Sequence, residues 1–209
     1  MSHKNKQLVI NSNNIIRKNK QTEKLIDNIS IIDSKQQTKD WRKNQNWYKG
    51  GKSNECELFQ RSQIELITNI KCIKTDLRIN INTMLLDRKS KPMTYPDGFE
   101  WTENFDGFFR HNNCKYLIDF KFVCDSGGAQ TRSLREVYHF ITYQLENLLS
   151  KPKKDTYFIN ILDGNESYKT LDKFNYLTNK KKYNNVKKFI FIGDMYSFNK
   201  YWIHKTTSD

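Results

Sequence analysis

The sequence has no CxxC pair: its four cysteines, Cys56, Cys72, Cys114 and Cys124, stand apart, and its four histidines fall in no zinc-ligand spacing. A structural zinc site is therefore not expected, and the thiols read as free. No apolar run approaches the roughly 20 residues that a membrane-spanning helix needs. The opening stretch MSHKNKQLVI lacks the apolar centre of a signal peptide. A soluble, cytoplasmic protein with no membrane partner is expected. There is no internal repeat. Acids are the scarce charge: 23 Asp and Glu face 36 Lys and Arg, for a formal net charge of +13. Such a balance suits a polyanionic partner, most simply nucleic acid. An abundance of Lys, Asn and Ile, as AT-rich coding produces, raises the charge without any partner.

What is present suits one ordinary domain with an extension, since 209 residues can bury a real core. Residues 1–54 are polar and rich in Lys and Asn, and read as a basic N-terminal arm or extension. Within it, KDWRKNQNWYKGGKSN mixes Trp41, Trp47 and Tyr48 with cations. That mixture fits a nucleic-acid arm, with phosphate held by charge and bases by rings, or a loosely packed extension. Residues 55–209 form the expected domain. Phe59, Leu66, Ile70, Ile73 and Leu77 recur at helical spacing and predict a helix over about 56–76. FEWTENFDGFFR and KYLIDFKFV predict a hairpin joined at His111-Asn112-Asn113. Ser133-Leu-Arg-Glu136 reads as a capping box opening a helix with an apolar stripe of Leu134, Val137, Ile141, Leu145 and Leu148. TYFINIL (156–162) and KFIFIG (188–193) predict two more strands, with Lys180, Lys181 and Lys182 between them. The order predicts an α/β or α+β fold, a mixed central sheet with flanking helices.

Alternation along Tyr116–Cys124 divides its side chains between two faces. Tyr116, Ile118, Phe120, Phe122 and Cys124 form one apolar set; Leu117, Asp119, Lys121 and Val123 share the other. Leaving an acid and a lysine in a packed strand without a task would cost several kcal/mol. In the preceding strand Glu100, Thr102, Asn104 and Asp106 share one face. A hairpin loop of two or four residues puts Asp106 opposite Asp119 and Asn104 opposite Lys121; three residues without a bulge would break the cluster. Two facing carboxylates repel unless a proton or a metal ion lies between them. Hard oxygen ligands of this kind suit Mg²⁺, and a lysine beside them can hold an attacking water.

Asp106, twelve intervening residues and Asp119-Phe120-Lys121 resemble the PD-(D/E)xK nuclease superfamily. GGAQTRSLREVYHFI looks most like the loop and helix of type II restriction endonucleases, and the resemblance covers about residues 56–195. Acid-x-Lys also occurs at Asp33-Ser-Lys35 and Asp87-Arg-Lys89, but neither follows a strand hairpin in the sequence reading. The proline that precedes the first acid of the motif is missing, Phe105 standing there, while Pro96-Asp97 lies nine residues earlier in a turn. His111-Asn112-Asn113 is no HNH site, since no second histidine follows at suitable spacing.

The resemblance implies a restriction-endonuclease-like core and Mg²⁺-dependent, site-specific cleavage of double-stranded DNA by a homodimer, leaving 5′-phosphate and 3′-hydroxyl ends. It implies Asp106, Asp119 and the Phe120 carbonyl as metal ligands and Lys121 as the residue that positions water. Glu65, or alternatively Glu57, would be the added glutamate from the first helix. Asn104, Gln130, Arg132 and Arg135 are candidate DNA contacts. Homing, resolvase and repair nucleases of the same superfamily are alternatives, as is a DNA-binding protein without catalysis.

Overall fold

The structure, a computed structural model, describes residues 33–51, 54–88, 99–151 and 155–208. In chain order these form α1 (Thr38–Lys43), α2 (Glu55–Thr68), β1 (Leu77–Ile79), β2 (Leu86–Arg88), β3 (Gly107–His111) and β4 (Cys114–Phe122). There follow α3 (Gly128–Ser150), β5 (Thr156–Asp163), α4 (Asn165–Tyr168), α5 (Leu171–Thr178), β6 (Ile190–Gly193) and α6 (Met195–Ser208). The central sheet has the order β3-β4-β5-β6, with β3 antiparallel to β4 and the remaining pairs parallel. β1 and β2 make a separate antiparallel pair. The expected mixed sheet with flanking helices is thus present. Among the described residues no helix is long and apolar enough to cross a membrane.

The alternation along β4 sorts the core. Leu117, Phe158 and Leu162 pack with Val137, Phe140, Ile141 and Leu145 of α3 on one face. Tyr116, Ile118, Phe120, Ile159 and Ile161 pack with Ile64 of α2 and Phe198 and Trp202 of α6 on the other. Burying each large apolar side chain stabilises the fold by about 1.5–3 kcal/mol, which explains why β4 tolerates a charged pair at its far end. The β3–β4 turn is two residues long: His111 pairs with Cys114, and Asn112 and Asn113 have φ of 47° and 60°. Two positive φ values define the tight hairpin turn that asparagine favours.

Several expectations are corrected. The first helix stops at Thr68, not 76, because Asn69 takes a left-handed conformation (φ 54°) that ends it. Its buried face is Gln60, Gln63, Ile64 and Thr68, whereas Leu66 and Ile73 of the expected stripe are exposed. Ser133 caps nothing: α3 begins at Gly128, with Thr131 N–H bonded to Gly127 C=O at 3.0 Å. Of FEWTENFDGFFR only Gly107–Arg110 joins the central sheet, in a strand that ends at His111. The preceding residues pair with β1 instead, Thr102 N–H donating to Ile79 C=O (2.9 Å) and Phe105 N–H to Leu77 C=O (3.0 Å). Pro96-Asp97 and Lys89 lie outside the described residues.

Residues 33–51 pack onto the domain. Ser34 N–H donates to Asp194 Oδ2 (3.2 Å), and Ser34 Oγ accepts Gly164 N–H (3.1 Å). Thr38 Oγ1 donates to Asn165 Oδ1 (2.8 Å) and accepts Asn165 N–H (3.0 Å). Trp41 stacks over Phe122 at 6.3 Å, and Trp47 over Phe59 at 4.4 Å. The tryptophan rings, open in the sequence either to bases or to packing within an extension, are thus engaged by protein rings. Residues 1–32 of the arm lie outside the described residues.

Candidate active site

The short turn carries its register to the open end of the hairpin. Gly107 pairs with Ile118, the register expected; Asp106 N–H donates to the same Ile118 C=O at 2.8 Å rather than extending the ladder, and its side chain lies beside Asp119. Asp119 is wholly buried, and both its carboxylate oxygens lack a hydrogen-bond donor among the described residues. Lys121 Nζ lies 3.8 Å from Asp119 Oδ1 and 3.1 Å from Glu103 Oε2. Asp106 Oδ2 accepts the Phe120 N–H at 2.8 Å. Arg61 donates to the Asp106 carbonyl and to Glu57.

Burial pushes the Asp119 carboxyl far above the usual carboxylate range; Lys121 opposes the rise, while Glu103 and Asp106 add to it. Asp106 is also raised, by burial first, against the pull of the Phe120 N–H and Lys121. For Lys121, burial disfavours the charge, but Asp119, Glu103 and Asp106 outweigh it and raise its pKa. The arrangement is therefore two carboxyls short of compensating charge beside a lysine that holds its proton. A divalent cation between the acids would reverse the burial penalty.

Among the described residues no group of three or more His, Cys, Asp or Glu is gathered into a metal cage. Mg²⁺ does not need one, since it binds through one or two carboxylates and keeps waters and substrate oxygens as its other ligands. Two unpartnered buried oxygens on Asp119, facing Asp106, fit such an ion. A cleft of about 580 Å³ opens beside them, lined among others by Arg42, Glu57, Gln60, Asp106, Lys121 and Gln130.

The other expected residues divide. Phe120 lines the cleft, as does Gln130. Arg132 is exposed on α3 and does not line the cleft; Arg135 lines a groove between α3 and α5 with Tyr138 and Phe174. Asn104 does not lie beside Lys121: it accepts a bond from Arg78, because its segment has left the sheet to join β1. Glu103 takes that place. Lys182 is held by Glu146 at 2.6 Å on the flank of α3.

Glu65 accepts the Cys72 N–H at 2.9 Å and so anchors the turn after α2, while Glu57, two turns earlier, lines the cleft. Of the two candidate glutamates on the first helix, Glu57 and not Glu65 lines the cleft. On the nuclease reading that the sequence resemblance implies, Glu57→Gln is expected to slow DNA cleavage about tenfold, in the range for outer-sphere support of a metal site. Glu65→Ala should leave the rate unchanged and cost about 1 kcal/mol of stability for one lost hydrogen bond. Single-turnover cleavage and thermal melts of both variants decide the assignment; equal rates for the two would reverse it.

Gln60, unforeseen in the sequence, ties the strand end together. Its Nε2 donates to Lys121 C=O (3.2 Å) and to Asp163 Oδ2 (2.7 Å). Burial pushes the Asp163 carboxyl up to about 7, although it also accepts the Met195 N–H at 2.9 Å. No apolar pattern pointed to Gln60, which stands directly after Phe59, the first residue of the expected stripe. Comparison of the chain with protein-family models, with curated proteins and with solved structures returns no match.

Proposed function

We propose that the chain is a Mg²⁺-dependent endonuclease that hydrolyses phosphodiester bonds in double-stranded DNA, with a PD-(D/E)xK-type site and a restriction-endonuclease-like core. The observation that carries this reading is Asp119: a wholly buried carboxylate, both oxygens without donors, with the Asp106 side chain beside it. A structural ion pair would turn those oxygens toward Lys121, which instead lies closer to Glu103.

Asp106, Asp119 and the Phe120 carbonyl would hold the ion. When bound, it supplies positive charge to the phosphoryl oxygens and acidifies a water. Lys121, kept protonated by its three acidic neighbours, donates to the attacking water and fixes its position rather than acting as a base. Glu103 and Asp119 hold the ammonium in place. Gln60 steadies Lys121 through the backbone carbonyl. Attack in line with the P–O3′ bond forms a new P–O bond and expels the 3′-oxygen, giving 5′-phosphate and 3′-hydroxyl ends. The positive balance of the chain favours a polyanion in the cleft. Cutting both strands of a symmetric site requires two such sites, hence a homodimer.

Large defined DNA incubated with the protein and Mg²⁺ should yield discrete fragments, none forming in EDTA. Smears or nicks would assign a different nuclease of the same superfamily. Binding without any cleavage, across Mg²⁺ and Mn²⁺, would replace hydrolysis by DNA binding alone.

A further inference from the structure

Arg42 sits in the same cleft but belongs to the N-terminal segment. Its guanidinium lies 5.1 Å from the Tyr48 ring centroid and 5.6 Å from that of Phe122, so aromatic faces hold it in place. Its Nε is buried and has no hydrogen-bond partner, and its nearest polar contact, Nη1 to Cys56 Sγ, is long at 4.0 Å. The acids lining the cleft are otherwise engaged: Asp125 with Lys39 at 2.6 Å, Glu57 with Arg61, and Asp106 with the Phe120 N–H. Burial raises the thiol pKa of both Cys56 and Cys124, so neither offers an anion at neutral pH. A partly desolvated guanidinium with no anion hydrogen-bonded to it, Asp125 acting on it only electrostatically, is costly unless a ligand supplies one. Its planar fork matches a phosphate.

We propose that Arg42 binds a backbone phosphate of the nucleic-acid strand in the cleft, one flanking the phosphate that reacts at Asp106 and Asp119. The subsite deepens the nuclease reading and rests on it for the substrate. Its place follows from β4: Arg42 packs on Phe122, the last residue of the strand, which alternation sets on the face opposite Lys121. The guanidinium therefore meets the strand at the end of β4 and not at the reacting centre. α1 is held there by Ser34 and Thr38, whose buried bonds fix the approach of Arg42.

The test is anisotropy of labelled duplex DNA, titrated in EDTA across a series of NaCl concentrations. One lost phosphate contact on duplex DNA lowers the slope of log affinity against log salt by about 0.9. Arg42→Gln should show that fall, with affinity weakened roughly tenfold at moderate salt on every sequence tried. Arg42→Lys, which keeps the charge, should retain the wild-type slope. Thermal melts of both variants show whether the Tyr48–Phe122 packing survives; if Arg42→Gln unfolds, Arg42→Met, whose apolar stem keeps the ring packing without the charge, replaces it in the titration, a slope lowered by one contact supporting the proposal and a wild-type slope overturning it. An unchanged slope in folded Arg42→Gln overturns it also, even if Mg²⁺-dependent cleavage is intact. Arg42-dependent binding by a wild-type chain that never cleaves would keep the phosphate contact and remove the nuclease reading. Wild-type protein that shows no salt-sensitive binding removes the contact.

Discussion

Asp119→Asn is expected to lower the rate of Mg²⁺-dependent DNA cleavage by on the order of 10³-fold while raising the melting temperature of the metal-free protein. The loss of rate follows from removing a charged oxygen beside Asp106, which lines the cleft, where the proposed metal would stabilise transition-state charge. The gain in stability follows from the other side of the same arrangement. Asp119 is buried, and its folded-state pKa lies above the unfolded one. Its contribution is therefore fully present below the unfolded pKa of about 4 and lost as pH rises through the folded value. In alkaline EDTA the wild-type chain holds an ill-compensated charge that asparagine removes, and the new amide can donate to Asp106. Relief of about 1–2 kcal/mol would raise the melt by roughly 3–8 °C in a chain of this size. Near pH 5 the difference should shrink. Melts at both pH values in EDTA, beside cleavage rates in Mg²⁺, read the two effects separately. A variant that is both slower and less stable at alkaline pH would mean that Asp119 is a structural ion-pair partner of Lys121.

Gly164→Ala should be the most destabilising single-methyl change among the described glycines. Gly164 has φ of +100°, and a Cβ there would stand 2.2 Å from the Val123 carbonyl oxygen and 2.9 Å from the Val123 nitrogen. Those are backbone atoms of the chain just after β4, tied to the end of β5 by the Val123 N–H to Asp163 C=O bond of 2.8 Å. They cannot turn aside as a flexible side chain would. The strained φ costs about 1–2 kcal/mol and the overpacking about 1–3 kcal/mol. A fall in melting temperature of roughly 5–15 °C follows. Gly128→Ala is the matched comparison: nothing lies within 4 Å of its added methyl, and in a helix alanine is favoured over glycine by up to about 1 kcal/mol. Equal melts for the two variants would show that the chain after β4 yields freely. Because Ser34 accepts the Gly164 N–H, the same substitution should loosen α1 and with it Arg42.

The heart of the site was legible because it depends on local rules. The period of two along β4 and a short turn are enough to set Asp119 and Lys121 on one face and Asp106 across from them. The stripe of α3 and the apolar runs of β5 and β6 are equally local signals. What escaped depends on partners far away in sequence. Glu103 reaches Lys121 only because Trp101–Phe105 abandon the hairpin for β1, a choice made by long-range pairing and by the burial of Phe105. Glu57 and Glu65 differ by about two helical turns, and choosing between them needs the true axis of α2, whose buried face is mostly polar. α6 went unread because its aromatic residues sit among lysines and polar residues without a clear stripe, and β1 and β2 are three residues each. The docking of α1 rests on single hydrogen bonds spanning 127 residues or more, which no local pattern announces.

The Asn112-Asn113 turn works as a ruler for chemistry done at the opposite end of the hairpin. Five residues of β3, about 17 Å of strand, separate it from Asp106, and it touches neither carboxylate. Yet it alone sets how many rungs are counted before the two acids meet. One inserted residue would slip the pairing of β3 against β4 by one and turn its side chains to the wrong face, taking Asp106 from Asp119. Surface turns ordinarily absorb changes of length without consequence. In this hairpin an insertion far from the two acids would part them, so the turn belongs to the proposed site by arithmetic though not by contact.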